Sequence, residues 1–168
     1  MKTHHTKIKE IIMRYTQTLI SALLCSILAL PVMAAPGGSS WSRTDKLSAV
    51  QNHLDAKEYR AAVAKLERIV AQDANNADAY NLLGYSNRKL KYYEKAETYY
   101  RRALELDPGH KGAMEYLGEL YVETDRMAEA EAMLSRLNDA CFFSCSEYRQ
   151  LQQYIERKNS GQAVRSNW

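Results

Sequence analysis

Only three prolines interrupt the 168 residues, and 46% of the chain is hydrophobic. That balance excludes an extended disordered polypeptide and leaves a helical globular profile of about one domain. No Gly-rich phosphate loop, nucleophile elbow or cluster of metal-ligand type occurs, so the sequence gives catalysis, cofactors and metal no support. No N-x-S/T acceptor occurs anywhere, and with an exported chain this points to a bacterial periplasm rather than a eukaryotic secretory route. The two cysteines beyond residue 34 are not spaced as C-x-x-C, and no strand-helix redox pattern surrounds them.

Residues 1–34 differ in kind from the rest. Lys2, Lys7, Lys9 and Arg14 precede the apolar run "LISALLCSILAL", which ends at Pro31 before the small-residue stretch "VMAAPGG". This is the layout of a secretory signal peptide, with cleavage expected after Ala34. The apolar run is well short of the roughly 20 residues that cross a bilayer, so no membrane association is expected after removal. The overall excess of 23 Lys plus Arg over 20 Asp plus Glu disappears with this segment, which carries four of the former and Glu10. A neutral remainder gives no support to nucleic-acid binding, which needs a positive surface to displace counterions.

What the remainder does contain is a period. Ala62, Ala96 and Ala130 are 34 residues apart, and "EYRAAVAKLERIV", "YYEKAETYYRRAL" and "RMAEAEAMLSRL" superimpose around them without gaps. Leu83 and Gly84 return as Leu117 and Gly118, and Tyr100 corresponds to Leu66 and Leu134. Each unit reads as two amphipathic helices divided by a short polar turn, with Tyr80, Leu83, Gly84 and Asn87 sharing one helical face. Gly84 and Ala96 remove bulk where helix backbones approach. Pro108 with Gly109 is expected to end the second helix through a left-handed Gly cap, whereas "DANNAD" ends the preceding unit by turn chemistry.

The 34-residue unit with its Leu-Gly pair, its small residue 12 positions on and its terminal Pro resembles the tetratricopeptide repeat. Tyr80, Leu83, Gly84, Ala96, Tyr100, Ala103 and Pro108 occupy the signature positions of the middle copy. The resemblance implies an all-α solenoid of three antiparallel helix pairs, 43–76, 77–110 and 111–144, followed by a capping helix at 145–158 and a tail at 159–168. Residues 35–42 read as a flexible lead-in. A binding module or scaffold is implied, holding a peptide segment or partner protein in a concave groove. Leu47, Gln51, Leu82 and Gly112 stand where chaperone-binding members carry Lys, Asn, Asn and Lys, which disfavours chaperone tails as ligands.

The groove-facing stripe is expected about 80° to 160° from the core direction of each first helix, and outside the core. By the resemblance it comprises Gln51, Asp78, Asn81, Tyr85, Arg88, Glu115, Glu119, Arg149 and Gln153. For Arg88, Glu115 and Glu119 an ion pair across the repeat junction is an equal alternative. The third unit is acidic, with three basic and seven acidic residues, and its neighbours are mildly basic, a pattern that orients a partner or pairs internally. Cys141 and Cys145, at the junction before the capping helix, read as a structural disulfide in an oxidising compartment, with an envelope redox or assembly enzyme as the alternative. Self-association through the Tyr-rich "YYEKAETYY" is the third reading.

Overall fold

The structure is a computed structural model that describes residues 43–142 and 145–162, with side chains from Leu47 onward. The signal segment, its cleavage point, the lead-in and the chain beyond residue 162 lie outside the described residues. Seven helices and no strand are present among those described: α1 (Arg43–Asp55), α2 (Tyr59–Gln72), α3 (Ala77–Lys89), α4 (Tyr93–Leu106), α5 (Lys111–Glu123), α6 (Met127–Ala140) and α7 (Ser146–Asn159). They form three helix pairs and a cap, the all-α solenoid that the period predicts.

The period governs the helix ends as well as the core. Asn76 accepts the Ala79 amide at 3.0 Å to cap α3, and 34 residues on His110 accepts the Ala113 amide through Nδ1 at 3.1 Å to cap α5. Asp73 and Asp107, also 34 apart, close the turns before these caps by accepting the Asn75 and Gly109 amides at 3.2 and 2.9 Å. Gly109 is therefore not the expected left-handed cap; the Asp107 carboxylate performs that closure. The left-handed residues are Lys57, Lys91 and Asp125, with φ of 57°, 63° and 60°, one in the turn between the helices of each repeat. Each turn also carries a bond from the residue after the left-handed one back five positions: Glu58 to His53, Tyr92 to Asn87 and Arg126 to Tyr121, at 2.7, 2.9 and 2.7 Å. This is a Schellman closure. After α7 the same bond joins Gln162 to Arg157 at 3.0 Å, and there a glycine, Gly161 with φ 70°, holds the left-handed position.

The core consists of two hydrophobic clusters. One runs from Val50 and Leu54 through Ala62, Leu66 and Ile69 to Ala79 and Leu83; the other runs from Ala96 and Tyr100 to Leu151, Tyr154 and Ile155. Tyr80 packs against both and joins them. Ala62, Ala96 and Ala130 are completely buried, as the predicted helix crossings require. Gly84 is needed for the same reason: a Cβ there would lie 2.5 Å from Tyr100 Cδ1. At Gly118 a Cβ would collide with the Leu151 side chain of the cap.

First helices pack on first helices: α3 on α5, and α5 on α7. No comparable packing joins α2 to α4 or α4 to α6. α3, α5 and α7 therefore line the inner side of the stack, and whatever they present there faces the next repeat as well as solvent.

Candidate functional site

The inner face is built from successive first helices and carries an unusual amount of charge for its burial. Arg88 on α3 is 2% exposed. Its Nη1 donates to Glu123 Oε1 at 2.7 Å, and its Nη2 lies 2.6 Å from Glu119 Oε2 as an ion pair rather than an aligned hydrogen bond. Glu123 Oε1 also accepts the Tyr154 hydroxyl of α7 at 2.9 Å. The guanidinium carbon sits 5.9 and 5.7 Å from the ring centres of Tyr85 and Tyr116, within cation–π range. Burial opposes the charge on Arg88, but the fields of Tyr100, Glu119 and Glu123 outweigh it and hold its pKa above the usual value. Burial pushes the Glu119 carboxyl up, against the pull of Arg88.

The expected groove residues divide into three groups. Gln51, Asp78, Arg149 and Gln153 are exposed. Gln51 donates to Asp55 at 2.8 Å, and Asp78 holds Nε2 of the capping His110 at 3.1 Å. Tyr85 is half-buried. Asn81, Arg88, Glu115 and Glu119 are buried, at 7%, 2%, 4% and 3% exposure, which corrects the expectation that this stripe stays outside the core. The reason is the curvature: a residue well away from the core direction of α3 still faces α5, and one on α5 faces both α3 and α7. Of the two readings of Arg88, the ion pair with Glu119 across the repeat junction is the one the geometry contains.

Tyr85 and Gln51 share a cleft of about 280 Å³ with Leu54, Tyr59, Leu82 and Tyr116. The rings of Tyr59 and Tyr85 meet edge to face at 6.2 Å, and Tyr85 and Tyr116 lie 5.2 Å apart. This aromatic wall has a polar rim in Gln51, Asp55 and Lys57. A space of this size takes one or two side chains of a bound polypeptide. Burial, with the Glu115 and Glu119 charges, pushes the Tyr116 phenol up to about 12, so that ring stays uncharged at neutral pH.

Buried acceptors on this face without a hydrogen-bond partner include Oε1 of Glu115 and Oδ1 of Asn81. Burial, together with the charges of Glu119 and Glu147, pushes the Glu115 carboxyl up to about 8. Sequence reasoning missed Glu123, Tyr154 and Tyr116, although Tyr154 lies 34 residues after Leu120, a core position, and Tyr116 34 after Leu82. Glu97 ties Arg101, Arg126 and the Tyr121 hydroxyl together at 2.8, 2.6 and 3.1 Å, joining the second repeat to the third. At the other end, Cys141 directly follows α6 and Cys145 directly precedes α7; the two are paired, with Cα atoms 5.7 Å apart. Among the described residues no group of three or more His, Cys, Asp or Glu side chains is placed to hold a metal ion, and no helix is long and apolar enough to cross a membrane.

Two family models described as tetratricopeptide repeat match residues 47–111 and 88–154, and together they span all three helix pairs and most of the cap. The chain belongs to the tetratricopeptide repeat family. Over 75 residues, 45% of its length, it is 28% identical to Superkiller complex protein 3 of Homo sapiens, of which the match covers 5%. Among solved structures it is similar to MamA of Desulfovibrio magneticus RS-1, with a TM-score of 0.55 and 26% identity over 58% of this chain and 55% of that one. It is also similar to the Yersinia enterocolitica type III secretion chaperone SycD in complex with a peptide of the translocator YopD, with a TM-score of 0.60 and 16% identity over 70% and 89%. The last is a likeness of fold alone. The chain thus spans less than half of the sequence relatives it matches and about half of the solved MamA chain. This tetratricopeptide repeat protein carries a charged, largely buried inner face beside an open aromatic cleft.

Proposed function

We propose that this tetratricopeptide repeat protein is a protein–protein interaction module that holds an extended segment of a partner along its first helices. The observation that carries the reading is the cleft walled by Tyr59, Tyr85 and Tyr116, whose rings offer large, rigid, amphipathic contact area at small entropic cost. The peptide complex of SycD, a neighbour in fold, supports the same use of such a solenoid. The module works after export to the periplasm, where Cys141 and Cys145 are oxidised and fix the angle between α6 and the cap. The partner protein or peptide is chosen by the inner face.

The test is site-specific photocrosslinking in the native host. Benzoylphenylalanine at Gln51, on the cleft rim, captures a partner, whereas the same group at the exposed Glu105 of α4 does not. Equal capture at both positions would overturn the groove reading. Cross-links only to a second copy would instead support self-association, and rapid reduction of the cysteine pair by a thioredoxin-like protein would favour the redox reading.

A further inference from the structure

On the inner face the third repeat keeps a carboxyl for which the described residues supply no cation. Arg88 is committed to Glu119 and Glu123, at 2.6 and 2.7 Å. Lys89 has its ammonium 5.3 Å from the centre of the Tyr85 ring; it is buried without a hydrogen-bond acceptor, and it makes no ion pair with Glu115. Glu115 is left at 4% exposure with Oε1 unpartnered. A second, uncharged acceptor is in the same condition: Oδ1 of Asn81, on α3, is unpartnered at 7% exposure. The Asn81 amide lies over the first turn of α5, where a Cβ on Gly112 would be 3.3 Å from Nδ2, and Glu115 follows Gly112 by three residues on that side of the helix. Buried acceptors without donors are rare in folded proteins, because each forfeits its hydration with no return. Two of them together, one a carboxyl, describe the complement of a cationic donor. Tyr116, next to Glu115 in sequence, forms the wall of the aromatic cleft, so the two features adjoin.

We propose that the inner face selects partner segments in which a lysine or arginine stands near a bulky apolar residue, the cation reaching Glu115 and Asn81 while the apolar side chain fills the cleft of Tyr59, Tyr85 and Tyr116. This rests on the groove reading and deepens it by naming the partner's chemistry. A long stem carrying several donors suits the site better than a neutral polar group, because only a cation compensates Glu115 in the field of its neighbours. Burial first, and then the charges of Glu119 on α5 and Glu147 on α7, hold the Glu115 proton there against the opposing field of Arg88 on α3. Binding of a cation then ionises Glu115 and releases that proton to solvent.

The experiment is selection of random 12-residue peptides displayed on phage with the purified protein, followed by calorimetry on the enriched sequences. Enriched peptides are expected to carry Lys or Arg near an aromatic or aliphatic residue. Glu115→Gln, and separately replacement of the peptide's lysine by norleucine, should each weaken binding about tenfold. The two changes together should cost little more than one, with the proton release at pH 7 lost in either. Peptides that cross-link to Gln51 yet show no basic preference, or whose affinity ignores Glu115→Gln, would overturn this inference and leave the groove reading standing. A selection that enriches nothing, or only peptides that bind the outer helices, would overturn both.

Discussion

Arg88 of α3 and Tyr154 of α7 meet on one oxygen atom of α5: Glu123 Oε1 accepts the guanidinium at 2.7 Å and the phenol at 2.9 Å. The second repeat, the third repeat and the cap are thereby joined through a single carboxylate, and Glu119 pairs with the other terminal nitrogen of the same guanidinium. Buried ion pairs of this kind add little net stability over well-packed apolar groups, but they are costly to break from one side. Arg88→Ala should therefore destabilise by about 3 to 5 kcal/mol in urea unfolding. The double change Arg88→Met with Glu119→Leu should be distinctly more stable than the single one, and a double variant no better than Arg88→Ala would show that the charge balance is not what the inner face depends on.

A methyl group at Gly84 has nowhere to go except into the Tyr100 ring, 2.5 Å away and completely buried. Gly84→Ala is expected to lower stability by about 1 to 3 kcal/mol despite its better helix propensity. Leu66 and Leu134 stand where Tyr100 does in the other repeats, so Tyr100→Leu should recover part of that loss in the double variant. Thermal unfolding of the three proteins checks both statements.

The solenoid itself was legible because its determinants are local and periodic: small residues at the crossings, apolar residues at helical spacing, and Asp73 and Asn76 at a turn with recognisable chemistry. The inner face was not, for a physical reason. Helical periodicity gives the direction of Arg88 and Glu119 around their own helices, but their burial depends on how closely the next first helix approaches. The left-handed turns were hidden because Lys57, Lys91 and Asp125 are not the Gly or Asn that usually mark such backbone. Pro108 and Gly109 drew attention to a cap that Asp107 makes instead. Gln51 and Tyr85, which only the resemblance puts on a common groove stripe, line one cleft.

Lys91 offers a direct test of those turns. Its φ of 63° is strained for a side chain that makes no use of the conformation, and the residue is exposed. Lys91→Gly should raise stability by about 0.5 to 1 kcal/mol, while Lys91→Val should lower it by about 1 kcal/mol or more. Indistinguishable melting temperatures for the two would mean that the turn is not left-handed in solution.

Glu115 makes stability depend on pH in a defined sense. Its carboxyl titrates near 8 in the folded protein against an ordinary 4.5, so across that window the unfolded chain has released the proton that the folded one still binds. The contribution of Glu115 is thus most favourable below about pH 4.5 and declines as pH rises through 8, by at most roughly 5 kcal/mol. Glu115→Gln should match the parent protein at pH 4.5 and exceed it in stability at pH 8.5. Parallel pH profiles of the two proteins in chemical unfolding would contradict this assignment.

The central claim is that the aromatic cleft on the first helices is where a partner segment binds, and the most direct measurement compares a selected peptide's affinity for the parent protein and for Tyr85→Ala. Calorimetry supplies the affinities, and circular dichroism establishes that the variant keeps its helices, since Tyr85 also packs against Tyr59 and Tyr116. The account predicts a loss of about 1 to 2 kcal/mol or more, as for an aromatic anchor at the centre of an interface. Equal affinity for a correctly folded Tyr85→Ala would contradict it.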